Sequence, residues 1–430
     1  MTTAEIIAVG SELLGSTRLD TNSLFITRML ASLGIRVRAK AVVGDDRALL
    51  RDLCALALGR VDLVVLTGGL GPTDDDLTRE AVTEALSIRL VEDPAITARI
   101  RERFERRGLA MPLVNRKQAM VPEGATVLPN PHGSAPGLVI PAGGRLVVLL
   151  PGPPRELQPM LTALCEPSGL LGARAGRERI HTVSLFTTGL SESHVEEIAQ
   201  PIYSQYREGP QPIETTILAT PGQIELHLTL RSDDEARARF VLEEARTRLL
   251  TALGECAFCT DGRSLPQVVG DMLRARGLTF AAAESCTAGL LLARMTEPAG
   301  SSAYVRGGVV AYSNEVKVDL LGVDPAIIAS HGAVSEPVAA AMADGVHART
   351  SADVAVAVTG IAGPSGGTDA KPVGTVVIAI RVDGQPLSVR THRFPGARDI
   401  VRFQATQSAL DGVRRILLAG RGSPSREGSP

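Results

Sequence analysis

From the amino terminus to residue 168, short runs of β-branched and aliphatic residues alternate with longer stretches whose apolar positions recur every three or four residues. The first pattern suits buried strands and the second suits helices with one apolar face, so the chain is predicted to form a parallel sheet covered on both sides. Strands are predicted at Ile6–Val9, Val37–Val43, Val61–Leu66 and Arg145–Leu150. Helices are predicted at Thr21–Leu33, Asp46–Leu58, Leu77–Leu86, Ala95–Arg107 and Arg155–Leu164. A Gly/Arg-rich stretch, Gly169–Arg179, breaks the alternation and reads as a linker. Strands at His181–Thr188 and Gln223–Arg231, with helices at Glu192–Gln205 and Asp234–Leu250, then make a small α+β unit over residues 178–254. A second break, Gly254–Pro266, precedes a last α/β domain at 264–418, and the Gly/Ser/Pro/Arg-rich end, 420–430, is expected to be disordered.

Ligands of such sheets sit beyond the carboxyl ends of the strands. There the strand Val61–Leu66 runs into Thr67-Gly-Gly-Leu-Gly-Pro-Thr73, followed at once by Asp74, Asp75 and Asp76. Glycines let backbone N–H groups approach an anion, and the helix that follows adds a partial positive charge. Three carboxylates at the same place repel a bare phosphate but suit a hard divalent cation bridging to a pyrophosphate. The same run also fits an ordinary strand-to-helix turn with an acidic first turn. Gly10-Ser11-Glu12 and Leu150-Pro-Gly-Pro-Pro154 also follow strands and can converge on that crevice.

Composition narrows the function classes. Lys plus Arg number 45 against 47 Asp plus Glu, so no basic field points to nucleic acid or an anionic membrane. Trp is absent and aromatic residues make up 3% of the chain, which removes stacking platforms for single strands. No apolar segment reaches the ~18 residues of a membrane span and no signal peptide is visible, so a cytoplasmic protein without membrane contact is expected. Five cysteines over a long chain read as free thiols, and Cys256-Ala-Phe-Cys259 has no second pair at metal-binding spacing.

A second reactive set lies near the carboxyl end. Ala281-Ala-Ala-Glu-Ser285-Cys286-Thr287-Ala-Gly289 puts a serine between a short strand and a helix at Gly289–Met295, where backbone donors are expected to stabilise an oxyanion. None of the seven histidines lies in a recognisable triad context. Lysine can replace histidine as base when its pKa is lowered, and Lys317 is one of only four lysines, with Lys40, Lys117 and Lys371, in an arginine-rich chain. It can equally be a solvated helix residue. Thr359-Gly360-Ile-Ala-Gly363-Pro follows another apolar strand and shares the T-G-x-x-G-P skeleton of the first loop, so its amides suit a phosphate or an oxyanion. Arg398 adds a guanidinium suited to a carboxylate or phosphate.

The segments GSELLGSTRLDTN at Gly10–Asn22, TGGLGPTDDDLT at Thr67–Thr78, NRKQAMVPEGATVLPN at Asn115–Asn130 and LPGPPREL at Leu150–Leu157 resemble the amino-terminal, molybdopterin-binding-like domain of the competence/damage-inducible CinA family. AESCTAG, YSNEVK, HGAVSEPVA, TGIAGPSGG, KPVGTV and FPGARD resemble its carboxy-terminal nicotinamide mononucleotide amidohydrolase domain. The resemblance implies an α/β fold with a molybdopterin-binding-like parallel-sheet domain at 1–168, a small α+β middle domain, an α/β amidohydrolase domain, and a homodimer. It implies deamidation of nicotinamide mononucleotide without a cofactor, with Ser285, Tyr312 and Lys317 catalytic and Thr287 assisting. Arg398, Gly360 and Gly363 are expected to hold that substrate. It also implies cleavage of ADP-ribose with a divalent metal (Mg, Mn or Co) on Asp75, Asp76 and Glu156, the substrate lying on Gly68, Gly69, Gly71, Thr73, Asn22 and Gly152. A pterin- or nucleotide-binding module with an inactive amino-terminal half is the alternative. The family pattern usually reads AESCTGG and P-G-V-P-x-E-M, where this chain has Ala288 and Pro151-Gly-Pro-Pro-Arg-Glu156-Leu157; the extra methyl matters if that backbone needs positive φ.

Overall fold

Every residue of the strand Leu63–Thr67 is buried, which requires a sheet covered on both faces. The computed structural model describes residues 3–209 and 211–420. The chain folds as two compact units, residues 1–181 with 231–238, and residues 182–230 with 239–430.

The amino-terminal elements are β1 (Thr3–Val9), α1 (Thr21–Ser32), β2 (Arg36–Val43), α2 (Arg47–Leu58), β3 (Leu63–Thr67), α3 (Thr78–Leu86), β4 (Leu90–Glu92), α4 (Pro94–Glu105), β5 (Met120–Pro122), β6 (Thr126–Leu128), β7 (Gly137–Ala142), β8 (Arg145–Leu150) and α5 (Pro154–Cys165). The sheet order is β2-β1-β3-β8-β7-β6. Its parallel part is as expected, with apolar cores on both faces. Two antiparallel strands, β7 and then β6 at the edge, extend it. The β7–β8 turn uses Gly143 and Gly144 at positive φ, a hairpin signal that helix–strand alternation hides. Acidic caps start two helices where the pattern placed them, Asp46 accepting from Leu49 N–H and Asp93 from Ala95 and Ile96 N–H. The stretch Gly169–Arg179 is not a free linker, because Leu171 is fully buried in the first core. Val9 aligns with Val43, and Thr67 with both Ala8 and Leu150, so the loops after β1, β3 and β8 leave one edge together.

The following elements are β9 (Arg179–Thr187), α6 (Glu192–Tyr203), β10 (Ile213–Thr220), β11 (Gln223–Ser232), α7 (Glu235–Leu253) and β12 (Ala257–Cys259), with sheet order β10-β11-β9-β12. Strand β11 buries every second residue, as a half-covered strand must. Then come α8 (Leu265–Ala275), β13 (Phe280–Glu284), α9 (Leu290–Thr296), β14 (Val305–Val310), α10 (Asn314–Leu321), α11 (Pro325–His331), α12 (Glu336–Thr350), β15 (Val354–Gly360), β16 (Thr375–Val382), β17 (Ser388–Arg393) and α13 (Arg398–Ala419). They build a sheet of order β14-β13-β15-β16-β17, parallel as far as β15 and antiparallel beyond. Helices α8, α9 and α13 share one core with it, and α12 shares another. The tail expected at 420–430 lies, apart from Gly420, outside the described residues. Among the described residues no helix is long and apolar enough to cross a membrane.

Gly345 sits inside α12, where glycine ordinarily weakens a helix by ~0.5–1 kcal/mol. Here a Cβ would stand inside van der Waals contact of the Leu321 carbonyl, so glycine lets the end of α10 lie directly on α12. Gly345→Ala is therefore expected to lower stability by roughly 1–3 kcal/mol, the cost of overpacking, instead of raising it as alanine does in an open helix. Thermal melts of the two proteins check the sign.

Candidate functional site

Towards the carboxyl ends of the strands in the carboxy-terminal sheet, Glu284 stands in register with Val310 and Val358. Ser285 follows, its N–H donating to the Val358 carbonyl at 2.9 Å, and the turn closes through Ala288 N–H on the Ser285 carbonyl at 3.1 Å. Helix α10, capped by Ser313 on Val316 N–H, carries Lys317 into this turn. Lys317 is 1% exposed, and its Nζ lies 3.2 Å from Ser285 Oγ while donating to the carbonyls of Ala311 at 2.9 Å and Tyr312 at 3.2 Å. Burial pushes its pKa below the ordinary 10.5, against the opposing pull of Cys286 and Glu315. The Ser313 carbonyl lies at 3.4 Å as a third acceptor; a neutral amine here shares two donors among these carbonyls and keeps a lone pair for the Ser285 hydroxyl.

Other expected residues surround this pair. Arg398 donates to the Gly363 carbonyl at 2.9 Å and to the Tyr312 hydroxyl at 3.0 Å, so Tyr312, itself 59% exposed, stands at the mouth and not on Ser285. Gly360 packs against Cys286: a Cβ there would lie 3.0 Å from Sγ. Cys286 is buried, which pushes its thiol up to about 12 and leaves it protonated at neutral pH. Thr287 is fully buried, and its hydroxyl has no partner among the described residues. The expected oxyanion donors at the start of α9 are corrected: Leu291 and Leu292 N–H donate to the Glu284 carboxylate at 3.0 and 2.9 Å. Glu284 is fully buried and can exist there because the helix start satisfies it.

The amino-terminal loops enclose a cleft of about 540 Å³. Gly68, Gly69, Gly71, Thr73, Gly152, Asp75, Asp76 and Glu156 all line it, facing Arg103 and Arg107 of the α4 end. Asn22 does not line it; its amide donates to the Gly152 carbonyl at 2.6 Å and so ties α1 to the loop after β8. Most loop amides are already engaged, which corrects the expected phosphate cradle. Gly68 N–H donates to Leu150 at 3.0 Å, Gly71 N–H to Asp76 Oδ1 at 2.6 Å and Thr73 N–H to Asp76 Oδ2 at 2.9 Å. Gly69 and Leu70 are the loop amides without a partner among the described residues. Asp76 thus shapes the loop. Asp75 is held below its ordinary range chiefly by the Thr73 hydroxyl. Glu156 accepts from Asn130 Nδ2 at 2.8 Å. Three converging ligands are not formed: no three His, Cys, Asp or Glu side chains among the described residues lie together as a metal cage. Asp75 and Glu156 still offer hard carboxylate oxygens to this one cleft, the donor type that a divalent cation such as Mg would take.

The family described as CinA C-terminal domain matches residues 262–417, and that described as probable molybdopterin binding domain matches residues 5–169. A CinA-like protein of Koribacter versatilis is 44% identical over 419 residues, 96% of this chain and 100% of its own length. The chain belongs to the CinA family. A putative competence-damage inducible protein of Symbiobacterium thermophilum is 45% identical over 96% of this chain and 99% of its own. A crystal structure of a competence-damaged protein (CinA) superfamily protein from Klebsiella pneumoniae is 37% identical, covering 36% of this chain and 96% of its own, with TM-score 0.35.

Several residues of this CinA-family chain escaped sequence reasoning. Arg402 donates to the Thr287 carbonyl at 2.7 Å, and its spacing of four from Arg398 on one helix face was the available signal. Lys117 donates to the Thr73 carbonyl at 2.9 Å, and its rarity was a signal. Glu284 and Asn130 show their roles only in three dimensions. Ala288 adopts φ +50°, so the position that is usually glycine in the CinA pattern needs the left-handed region. An L-residue there costs roughly 1–2 kcal/mol. Ala288→Gly should therefore leave stability unchanged or raise it by up to about 1 kcal/mol, whereas Ala→Gly normally lowers it; chemical denaturation gives the sign.

Proposed function

We propose that this chain hydrolyses the carboxamide of nicotinamide mononucleotide at Ser285 and the pyrophosphate of ADP-ribose in the amino-terminal cleft. The observation that carries the first activity is the buried Lys317 amine 3.2 Å from Ser285 Oγ. As Ser285 Oγ attacks the carboxamide carbon, its proton passes to neutral Lys317. The C–N bond then breaks and Lys317 returns the proton to the leaving nitrogen, releasing ammonia and leaving an ester on Ser285. Water attacks that ester, its proton passing through Lys317 to Ser285 Oγ, and nicotinate mononucleotide departs. Arg398 spends donors on Gly363 and Tyr312 and keeps others for the substrate phosphate. Thr287, with its unpartnered hydroxyl, assists the proton transfers.

Only neutral Lys317 accepts a proton, so the rate should rise with pH and level off above the folded pKa, which burial holds below 10.5. Ammonia release is expected to vanish in Ser285→Ala and to survive Cys286→Ala, whose thiol is buried and protonated. Lys317→Arg keeps the charge and cannot accept a proton, so kcat should fall ~10²-fold or more. Near-normal turnover in Lys317→Arg would reduce the lysine to a fixed charge and remove the basis of this reading.

In the amino-terminal cleft, water attacks one phosphorus of ADP-ribose, the bridging P–O bond breaks, and AMP and ribose 5-phosphate leave. Asp75 and Glu156 would hold a divalent ion, which supplies Lewis-acid polarisation when bound. The Gly69 and Leu70 amides receive one phosphate, Arg103 and Arg107 offset the charge from the other wall, and Asp76 keeps the loop in shape. The engagement of Asp76 with the loop favours a second reading, a module that binds a pterin or nucleotide without cleaving it. AMP release separates them. EDTA should abolish it and leave ammonia release unchanged, and Asp75→Asn should lower it without affecting ammonia. Binding of ADP-ribose with no AMP at any metal concentration would establish the binding module.

A further inference from the structure

The carboxy-terminal unit contains a second cavity, of about 660 Å³, which neither Ser285 nor Lys317 lines. It lies on the α13 face of the sheet, beneath the loops Thr188–Ser191 and Thr220–Ile224, and its size falls in the range of small-molecule sites, about 300–1,000 Å³. Glycines keep it open. A Cβ at Gly412 would lie 2.5 Å from Ile380 Cδ1, and one at Gly189 would lie 3.3 Å from Arg415 Nη2.

The lining has three chemical parts. Ile378, Ile380 and Ile416 give an apolar wall. Beside it His392 and Phe394 stack, centroids 5.3 Å apart and planes 8° from parallel. Burial, with Arg390 adding, lowers the His392 pKa from 6.5, so the imidazole is neutral and offers an uncharged flat face. Next on the same strand face comes Arg390, exposed, its guanidinium without an ion pair or hydrogen bond among the described residues. The one acid in the cavity, Asp411, is already neutralised by Arg414 at 2.6 Å and Arg415 at 2.7 Å. A flat neutral face, an apolar wall and one free guanidinium select a planar heteroaromatic ring carrying a single anionic group.

We propose that this cavity is a ligand site distinct from the Ser285 centre and takes a nucleoside monophosphate, its base against His392, Phe394 and the isoleucines and its phosphate on Arg390. No nucleophile or base of the proposed reactions lines it, so the site is one of binding and not of turnover. The fold connects it to the serine site: Phe394 N–H donates to the Gly374 carbonyl at 2.9 Å, and α13, which lines the cavity with Ser408 and Gly412, begins at Arg398.

Hydrogen–deuterium exchange of the full chain with AMP tests the site locally, so binding of AMP elsewhere does not confuse it. AMP should slow exchange in peptides covering 188–191, 220–224 and 390–396, while adenosine or inorganic phosphate alone should protect these weakly. Arg390→Glu should raise the AMP concentration for half-protection about tenfold or more, the effect of losing one charge-assisted contact. His392→Ala should raise it as well, and peptides of α12 should exchange as in the parent protein in both variants. No protection of these peptides at millimolar AMP, or protection that is equal in the parent and Arg390→Glu proteins, overturns the proposal.

Discussion

The carboxy-terminal site depends on how one lysine is buried. An ammonium taken from water costs several kcal/mol unless partners replace the hydration it loses. Lys317 donates to the carbonyls of Ala311, Tyr312 and Ser313 and has no carboxylate within hydrogen-bonding distance among the described residues. That choice has chemical consequences, because an adjacent carboxylate would add a full opposing charge and hold the proton on the nitrogen, whereas neutral carbonyls orient the amine and leave desolvation to lower its pKa. The surrounding fold serves this placement: Ser313 caps α10, Gly322 ends it at φ +68°, and Gly345 admits its last carbonyl against α12. Ala311 stays in line because its N–H donates to the Glu284 carbonyl at 2.8 Å.

Carboxylates here act mainly as clamps on backbone. Glu284 satisfies the first amides of α9, Asp76 closes the loop Gly71–Thr73, and Glu156 meets Asn130, whose Oδ1 in turn accepts from His132 and Gly133 N–H. Each places a charge where it is matched by amides and not by solvent, which stiffens a loop beside a sheet edge. The two loops with the T-G-x-x-G-P skeleton differ accordingly. The first is held by its own aspartate, whereas in the second Ile361 pairs with Thr375 and Gly374, so neighbouring strand ends hold it.

Helix α13 links the features of the carboxy-terminal unit. Its first residues present Arg398 and Arg402 to the serine turn, its middle packs Ala405, Ala409 and Val413 into the core, and its last turns set Arg414 and Arg415 on Asp411. An apolar stripe with arginines on both sides lets one rigid element serve a core, the mouth of the serine turn and a cavity wall.

Local pattern alone determined much of this protein. Buried aliphatic runs marked β1, β3 and β8, apolar positions recurring every three or four residues marked α2 and α4, and the glycine loops, Ser285, Lys317 and Arg398 were legible because motif and spacing are properties of the chain. Strands β6, β7 and β10 were missed, since each pairs antiparallel with a neighbouring strand and that pairing defines it. Tertiary structure decided which groups are free to act. Sequence shows that Asp75, Asp76 and Glu156 are acids, but only the fold shows Asp76 spent on Gly71 and Thr73, because hydrogen-bond satisfaction depends on which amides come within about 3 Å. Sequence likewise left Lys317 either solvated or catalytic. The fold buried it beside Ser285 and the carbonyls of Ala311, Tyr312 and Ser313, and desolvation, a property of the surroundings and not of the residue, lowered its pKa.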